Sequence, residues 1–227
     1  MTSRRFRLAA AAVAIVYIAI QGFQELVFRT VGEAATPAQS LALGAHPLHI
    51  ARSTAMLAAM FGLVFLYTAI CLQRARERPV LAGFTFLAFQ LFGLLEIGLR
   101  SVELIWTQIE LPAAYARTHD PAILDKVATF EAVQHALYLP LGFAVLLGNA
   151  LGLWLFAGGR RIDRVIQAAF AIHVLRNVTR MITVYIGWPL FPSDAYAAAY
   201  FPMVLAFYAP VAYWLAMRDD PPPGSLA

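Results

Sequence analysis

Seven acids and arginines fall inside stretches that are otherwise apolar: Glu25, Glu96, Arg100, Glu103, Glu131, Arg176 and Arg180, joined by His135 and His173. An ionisable side chain at the centre of a membrane helix costs roughly 2.5 to 3.5 kcal/mol or more, so groups placed there face protein, water or one another. Their spacing is informative, because residues three, four and seven apart share one side of an α-helix. Glu96, Arg100 and Glu103 follow that spacing, and so do His173, Arg176, Asn177 and Arg180. Glu131 and His135 lie one turn apart. Gln21, Gln24 and Glu25 come late in the first apolar run, and His46, His49 and Arg52 open the second. Four carboxylates against three guanidinium groups come close to neutrality, as an internally paired set requires.

Three kinds of chemistry fit these residue types. Arg176 and Arg180 beside His173 could hold a carboxylate or phosphate head, since guanidinium offers a planar fork of donors to an oxyanion. Glu25, Arg100, Glu103 and Asn177 would complete such a ligand-binding set. A carboxyl group taken partly out of water holds its proton more tightly and can protonate an alkene or relay a proton, as acid-catalysed isomerases and cyclases of lipophilic substrates require. Glu96, Glu131 and His135 are the candidates for that catalytic role. Glu131, His135, His173 and Glu96 also have the donor types of a metal site. The di-iron bundle pattern, however, sets Glu and His three apart and in duplicate; here the offset is four and unduplicated, so no metal and no other cofactor is assigned. A purely structural use is the competing reading. Glu96 and Arg100 could form a plain intrahelical pair, while Arg176 and Arg180 snorkel or pair with Glu103 to fix helix packing. Buried ion pairs add little net stability, which favours a set kept for a ligand.

The elements that must position these groups are membrane helices. Of 227 residues, 61% are hydrophobic and only 13% charged, and the mean hydropathy is +0.68, against roughly 45–50% apolar and 25% charged in a soluble domain. The apolar runs predict six spans: Leu8 to Phe28, Ile50 to Leu72, Val80 to Trp106, Val127 to Phe156, Val165 to Trp188 and Tyr200 to Met217. The first, preceded by Arg4, Arg5 and Arg7, has the outline of a secretory signal but no small-residue cleavage pattern, and is read as a retained span. Basic residues stay on the cytoplasmic side. Arg4, Arg5, Arg7, Arg74, Arg76, Arg78, Arg160, Arg161, Arg164 and Arg218 collect on one side, against Arg29, Arg52, Arg117 and Lys126 on the other. This predicts an all-α polytopic helix bundle in the inner (plasma) membrane with both termini cytoplasmic. Residues 1–218 form one transmembrane domain and 219–227 a disordered cytoplasmic tail. Trp106, Trp188, Tyr196, Tyr200, Tyr213 and Trp214 fall near span ends, as interfacial aromatics do. Thr107 to Lys126 and Trp188 to Pro202 are the outer loops long enough to cover a cavity. In this orientation the polar stripes lie mainly in the outer half of the membrane and predict one shared polar chamber.

Several function classes are excluded. The net charge of +4 is scattered between apolar runs rather than gathered on a polar face, so no nucleic acid is expected. The lone Cys71 supplies neither a disulfide nor a thiolate cluster. Retinal attachment needs a lysine inside a helix, and the only lysine, Lys126, sits at a span entrance. There is no phosphate-cradling Gly-Lys-Ser/Thr loop and no Gly-x-Ser-x-Gly elbow. Asn177-Val178-Thr179 matches a glycosylation sequon, but within a span.

With its basic first span, its long outer loop before the fourth span and the run Phe130 to Phe156 with Gly142, Gly148 and Gly152, the chain resembles small bacterial multi-pass membrane proteins grouped as a domain of unknown function. That resemblance implies the helical membrane fold and no site residue. Integral-membrane isomerases and terpene cyclases are similar in size and in having isolated acids such as Glu96. The expectation is therefore a membrane protein that takes a lipophilic or amphipathic small molecule into its chamber and could isomerise or cyclise it. The alternatives are a proton- or ion-coupled transporter, disfavoured by the apolar inner halves of the spans, and a structural or assembly subunit. Membrane lipid is the expected surrounding, and a homo-oligomer is compatible with this composition.

Overall fold

The computed structural model describes residues 3–32, 34–159, 161–188, 190 and 192–217. Arg160, Arg218, the side chain of Tyr196 and the tail 219–227 lie outside the described residues. Among those described the secondary structure is entirely helical. Helix α1 spans Arg4–Val31, α2 Pro37–Gly44, α3 Pro47–Arg74 and α4 Pro79–Val102. A π-helical stretch, Glu103–Glu110, carries α4 on into α5, Leu111–Thr118. Helix α6 spans Ala122–Leu155, α7 Arg161–Met181 with a second π stretch at Ile182–Ile186, and α8 Ser193–Met217.

Local chemistry sets these boundaries. Ser3 Oγ accepts the Phe6 N–H at 3.3 Å and Thr36 Oγ1 the Gln39 N–H at 3.2 Å, each satisfying a donor that the first helical turn leaves open. Pro37, Pro47 and Pro79 occupy first turns, where a missing N–H costs nothing. His119, in the left-handed region at φ 53°, ends α5. Asp120 Oδ1 then accepts the Ala122 N–H at 2.9 Å to start α6.

Five of these helices are long and apolar enough to cross a membrane: α1, α3, α4 with its extension, α6 and α8. Helix α7, where the sequence predicts a sixth span, falls short of that composition because it carries Arg161, Asp163, Arg164, Arg176 and Arg180. It is nonetheless built into the bundle. Helices α1, α3, α4, α6, α7 and α8 pack each against the next in chain order, and α8 returns onto α1, which closes a ring. Neighbours run antiparallel: Phe6 of α1 meets Phe65 of α3 at 4.9 Å between ring centres, while Arg52 near the start of α3 lies 4.8 Å over Phe28 near the end of α1.

The bundle is apolar outside and buries a set of polar side chains within an otherwise apolar core. On α4, Val80, Phe84, Leu87, Leu91 and Leu94 are exposed, whereas Thr85, Phe89, Gly93 and Glu96 are buried. Small residues bring the helices close together. A Cβ on Gly148 would come within 2.8 Å of the Phe89 ring, and one on Gly152 within 2.6 Å of the Phe170 ring. Phe89, Phe156, Phe170 and Phe207, all fully buried, pack ring against ring as an aromatic plug toward the end of the bundle where α1 begins.

Helix α8 begins at Ser193, so most of the expected loop Trp188 to Pro202 is helix, and two further regions differ from the sequence expectation. Thr107 to Lys126 is a helical hairpin rather than a loop, because α4 and its extension make one rod of 40 residues. At about 1.5 Å per residue that is roughly twice the ~30 Å hydrocarbon thickness, so the hairpin projects beyond the ring, with α2 packed against it through Leu41, Leu111 and Ile123. At the end of the bundle where α1 begins, Arg7, Arg74 and Asp163 are buried. Arg74 pairs with Asp163 at 3.3 Å and with Glu77 at 2.5 Å, and lies 4.5 Å over the Phe156 ring. The Trp214 indole N–H donates to Asp163 Oδ1 at 3.1 Å. Arg78 donates to the Ala157 carbonyl at 2.7 Å and also to that of Trp154. Helices α1, α3 and α7 extend past the apolar runs, which turns charges that read as loop residues back onto the bundle.

Candidate functional site

All six ring helices contribute to one central cavity of about 110 Å³. Its deep end is a cluster of tyrosines. Tyr67 on α3 stacks on Phe89 at 3.8 Å between ring centres, its hydroxyl lies 2.9 Å from that of Tyr208 on α8, and the Tyr208 ring packs 4.6 Å from Tyr17 of α1. Toward the end nearer the α5–α6 hairpin the walls carry Glu96 and Arg100 from α4, Tyr138 from α6, and His173, Arg176, Asn177 and Arg180 from α7. The two stripes anticipated on the third and fifth spans thus face each other across the cavity.

The carboxylate of Glu96 is held from one side only. Arg100 Nε and Nη2 each lie 3.0 Å from its Oε1, whereas Oε2 is buried and without a hydrogen-bond partner. Arg100 reaches onward with Nη1 to Glu103 Oε2 at 2.8 Å, and Glu103 Oε1 lies 3.4 Å from Arg52 Nη2 and 3.4 Å from Gln108 Nε2. The result is an alternating chain, Arg52, Glu103, Arg100, Glu96, running from the N-terminal end of α3 into the cavity. Each inner charge has an opposite neighbour, as low-dielectric surroundings demand.

His173 is 4% exposed. Its ring packs 4.2 Å from Phe207 and bonds the backbone of Met203, and Nε2 has no partner. Glu96 on α4 and His173 on α7 therefore line the same cavity, and each has one buried atom with unused hydrogen-bonding capacity. Arg176 lies 5.0 Å over the Tyr200 ring, and the Tyr200 hydroxyl donates to Gln21 Oε1 at 3.0 Å. Arg180, at the outer edge, lies 5.5 Å over Tyr138 and has no carboxylate partner among the described residues.

The remaining candidates lie elsewhere. Glu25 turns away from the cavity to Arg29, at 2.9 Å on the surface of α1. Glu131 is exposed on α6; Trp106 packs edge-on against Phe130, which sets Glu131 on the projecting hairpin beyond the level of Glu103. His135 is exposed as well. It lines a separate cleft between α6 and α7, with its ring 5.0 Å from that of Tyr185. His46 caps α3, its Nδ1 accepting the Leu48 N–H at 3.2 Å, and His49 packs on Phe28 at 6.1 Å. Among the described residues no three His, Cys, Asp or Glu side chains come together as a metal-binding group.

Sequence reasoning missed the tyrosines Tyr17, Tyr67, Tyr138 and Tyr208. A signal was present: Tyr17, Gln21 and Gln24 stand at offsets of four and seven and form one polar stripe on α1, with Gln21 buried and Gln24 lining the cavity. No family model, curated protein or solved structure matches this chain, and what it does has to be read from the cavity itself.

Proposed function

We propose that this chain is a plasma-membrane protein of six spans, both termini cytoplasmic, whose central cavity binds a lipophilic or amphipathic small molecule and acts on it by proton transfer. The sixth span is α7. Its place in the ring between α6 and α8, with His173 and Asn177 buried, supports this despite its polarity, because its polar groups are kept from lipid. The orientation rests on the basic residues, with the Arg74–Asp163 end inside and the α5–α6 hairpin outside.

One observation carries the functional reading: Glu96 Oε2 and His173 Nε2 are both buried, both lack a partner, and both belong to residues that line one cavity. An unsatisfied buried polar atom costs about 1–3 kcal/mol, and a polar ligand in this cavity would supply a partner to both. In the proposed reaction, an isomerisation or cyclisation, the Glu96 carboxylate first takes up a proton at Oε2, delivers it to the ligand and is again the carboxylate that Arg100 balances, while His173 takes a proton from the ligand at Nε2 and returns it to Glu96, so that none is consumed. Arg176 and Arg180 hold the polar head. The acid/base partner of Glu96 is thus His173, across the cavity, in place of Glu131 or His135.

Extraction of the purified protein and identification of co-purified small molecules by mass tests this directly. Wild-type protein should carry a ligand that E96Q and R176M lose while folding in normal yield. Equal loss of folded protein in both variants would instead favour a structural subunit. The transporter reading needs a path to the inner side, and the buried Arg74–Asp163 pair would be its gate. The aromatic plug of Phe89, Phe170 and Phe207 between cavity and gate weighs against it.

A further inference from the structure

The cavity is small for a whole ligand. Pockets that enclose drug-sized molecules hold roughly 300–1,000 Å³, and about 110 Å³ admits a polar head and little more. The rest of an amphipathic molecule has to lie in adjoining space, and the structure offers such space on one side. A cleft of about 170 Å³ between α6 and α7 shares Tyr138, Leu141, Val145, Asn177 and Arg180 with the cavity and continues outward past Gly142, Met181 and Val184 to His135 and Tyr185. The apolar groove between α4 and α6 is larger, about 480 Å³, but has no lining residue in common with the cavity.

Both helices that flank the cleft are irregular along it. Pro140 interrupts α6, and a proline inside a helix removes one backbone hydrogen bond and opens the turn before it. On the other side α7 gives way to the π stretch Ile182–Ile186, a geometry that recurs at functional sites. The Tyr185 hydroxyl, from that stretch, donates to the His135 carbonyl at 2.8 Å and forms one cross-link over the outer rim. Within the cleft the gap opposite Gly142 is filled by the Met181 side chain, whose sulfur would stand 3.4 Å from a Cβ there, and methionine is the side chain that gives way most readily. Arg180 stands where cleft and cavity meet.

Resting on the ligand-binding reading above, we infer that the α6/α7 cleft is a side portal through which a single-chain amphipathic anion enters from the outer leaflet. Its carboxylate or phosphate head passes Arg180 into the cavity, and its tail stays in the cleft against Met181 and Val184.

The test uses the full chain in nanodiscs of zwitterionic lipid with cis-parinaric acid, a fluorescent long-chain carboxylate. Equilibrium binding and association rate are measured separately. Palmitate, a single-chain lysophosphatidate and palmityl alcohol serve as competitors. Competition by palmitate over lysophosphatidate, or the reverse, identifies the head, and both should exceed the neutral alcohol. R180Q should weaken binding of the anion about ten-fold or more, the value of a charge-assisted hydrogen bond, and leave the alcohol unchanged. Bridging H135C/Y185C with a short bis-methanethiosulfonate reagent should slow association at least ten-fold, and reduction should restore it; G142F, which fills the cleft permanently, should act likewise. If bridged and G142F proteins take up the probe at the wild-type rate while E96Q and R176M lose it, the portal is wrong and the chamber stands. If the wild type does not bind the probe, or binds it equally with E96Q, R176M and R180Q, the chamber reading fails and the portal with it.

Discussion

Replacing Arg100 by Met and Glu96 by Gln, singly and together, tests the pairing that holds the outer wall of the cavity. Arg100 contacts Glu96 at 3.0 Å and Glu103 at 2.8 Å, with side chains 17%, 9% and 16% exposed respectively. In R100M, Glu103 keeps Arg52 at 3.4 Å, but Glu96 loses both hydrogen bonds that Arg100 gives it. An uncompensated charge at that depth costs about 3 kcal/mol. In E96Q the amide oxygen still accepts from Arg100, whose charge remains balanced by Glu103, so the loss is that between a charged and a neutral hydrogen bond, about 1 kcal/mol. The double variant E96Q/R100M leaves no orphaned charge and should be more stable than R100M alone by about 2 kcal/mol. Reversible unfolding in mixed micelles by added SDS, followed by helical circular dichroism, measures all four proteins. A double variant as unstable as R100M and E96Q combined would show that the two residues act independently, and would refute the ion-pair chain as the element that holds Glu96 in place.

Three further outcomes follow from particular contacts. Y67F and Y208F should each destabilise by about 1–3 kcal/mol, because each strands a buried hydroxyl, whereas Y67F/Y208F together should be close to neutral; the same unfolding titration checks the cycle. G152A should cost about 1–3 kcal/mol, since its Cβ would press on the fully buried Phe170; G98A, with nothing within 4 Å, should be neutral or gain up to about 1 kcal/mol from helix propensity. In intact cells a membrane-impermeant maleimide should label A116C at once and R76C only after permeabilisation, with Cys71 silent because it is buried; the reverse pattern would overturn the proposed orientation.

The polar stripes were legible because helical periodicity is a local property. Glu96, Arg100 and Glu103 share a face of α4, and His173, Arg176, Asn177 and Arg180 a face of α7, whatever those helices pack against. Periodicity does not say which way a face is turned. Glu131 and His135 have the same four-residue spacing on α6, yet Trp106 against Phe130 and the ring contact of His135 with Tyr185 set both outside the cavity. Glu25 is a parallel case: it sits one residue after Gln24, which lines the cavity, and that step of about 100° around the helix turns it toward Arg29.

Hydropathy and a 3.6-residue period depend only on neighbours along the chain, which is why the apolar helical class and the grouping of the polar residues on each helix can be read without any tertiary contact. The rotation of each helix about its own axis and the closing of α8 onto α1 arise from contacts between residues far apart, such as Tyr17 with Tyr208 and Arg74 with Asp163. Those long-range contacts are what bring Glu96 and His173 to the walls of one cavity. They also turn Arg74, Glu77 and Asp163 back onto the bundle and leave space beside the cavity between α6 and α7.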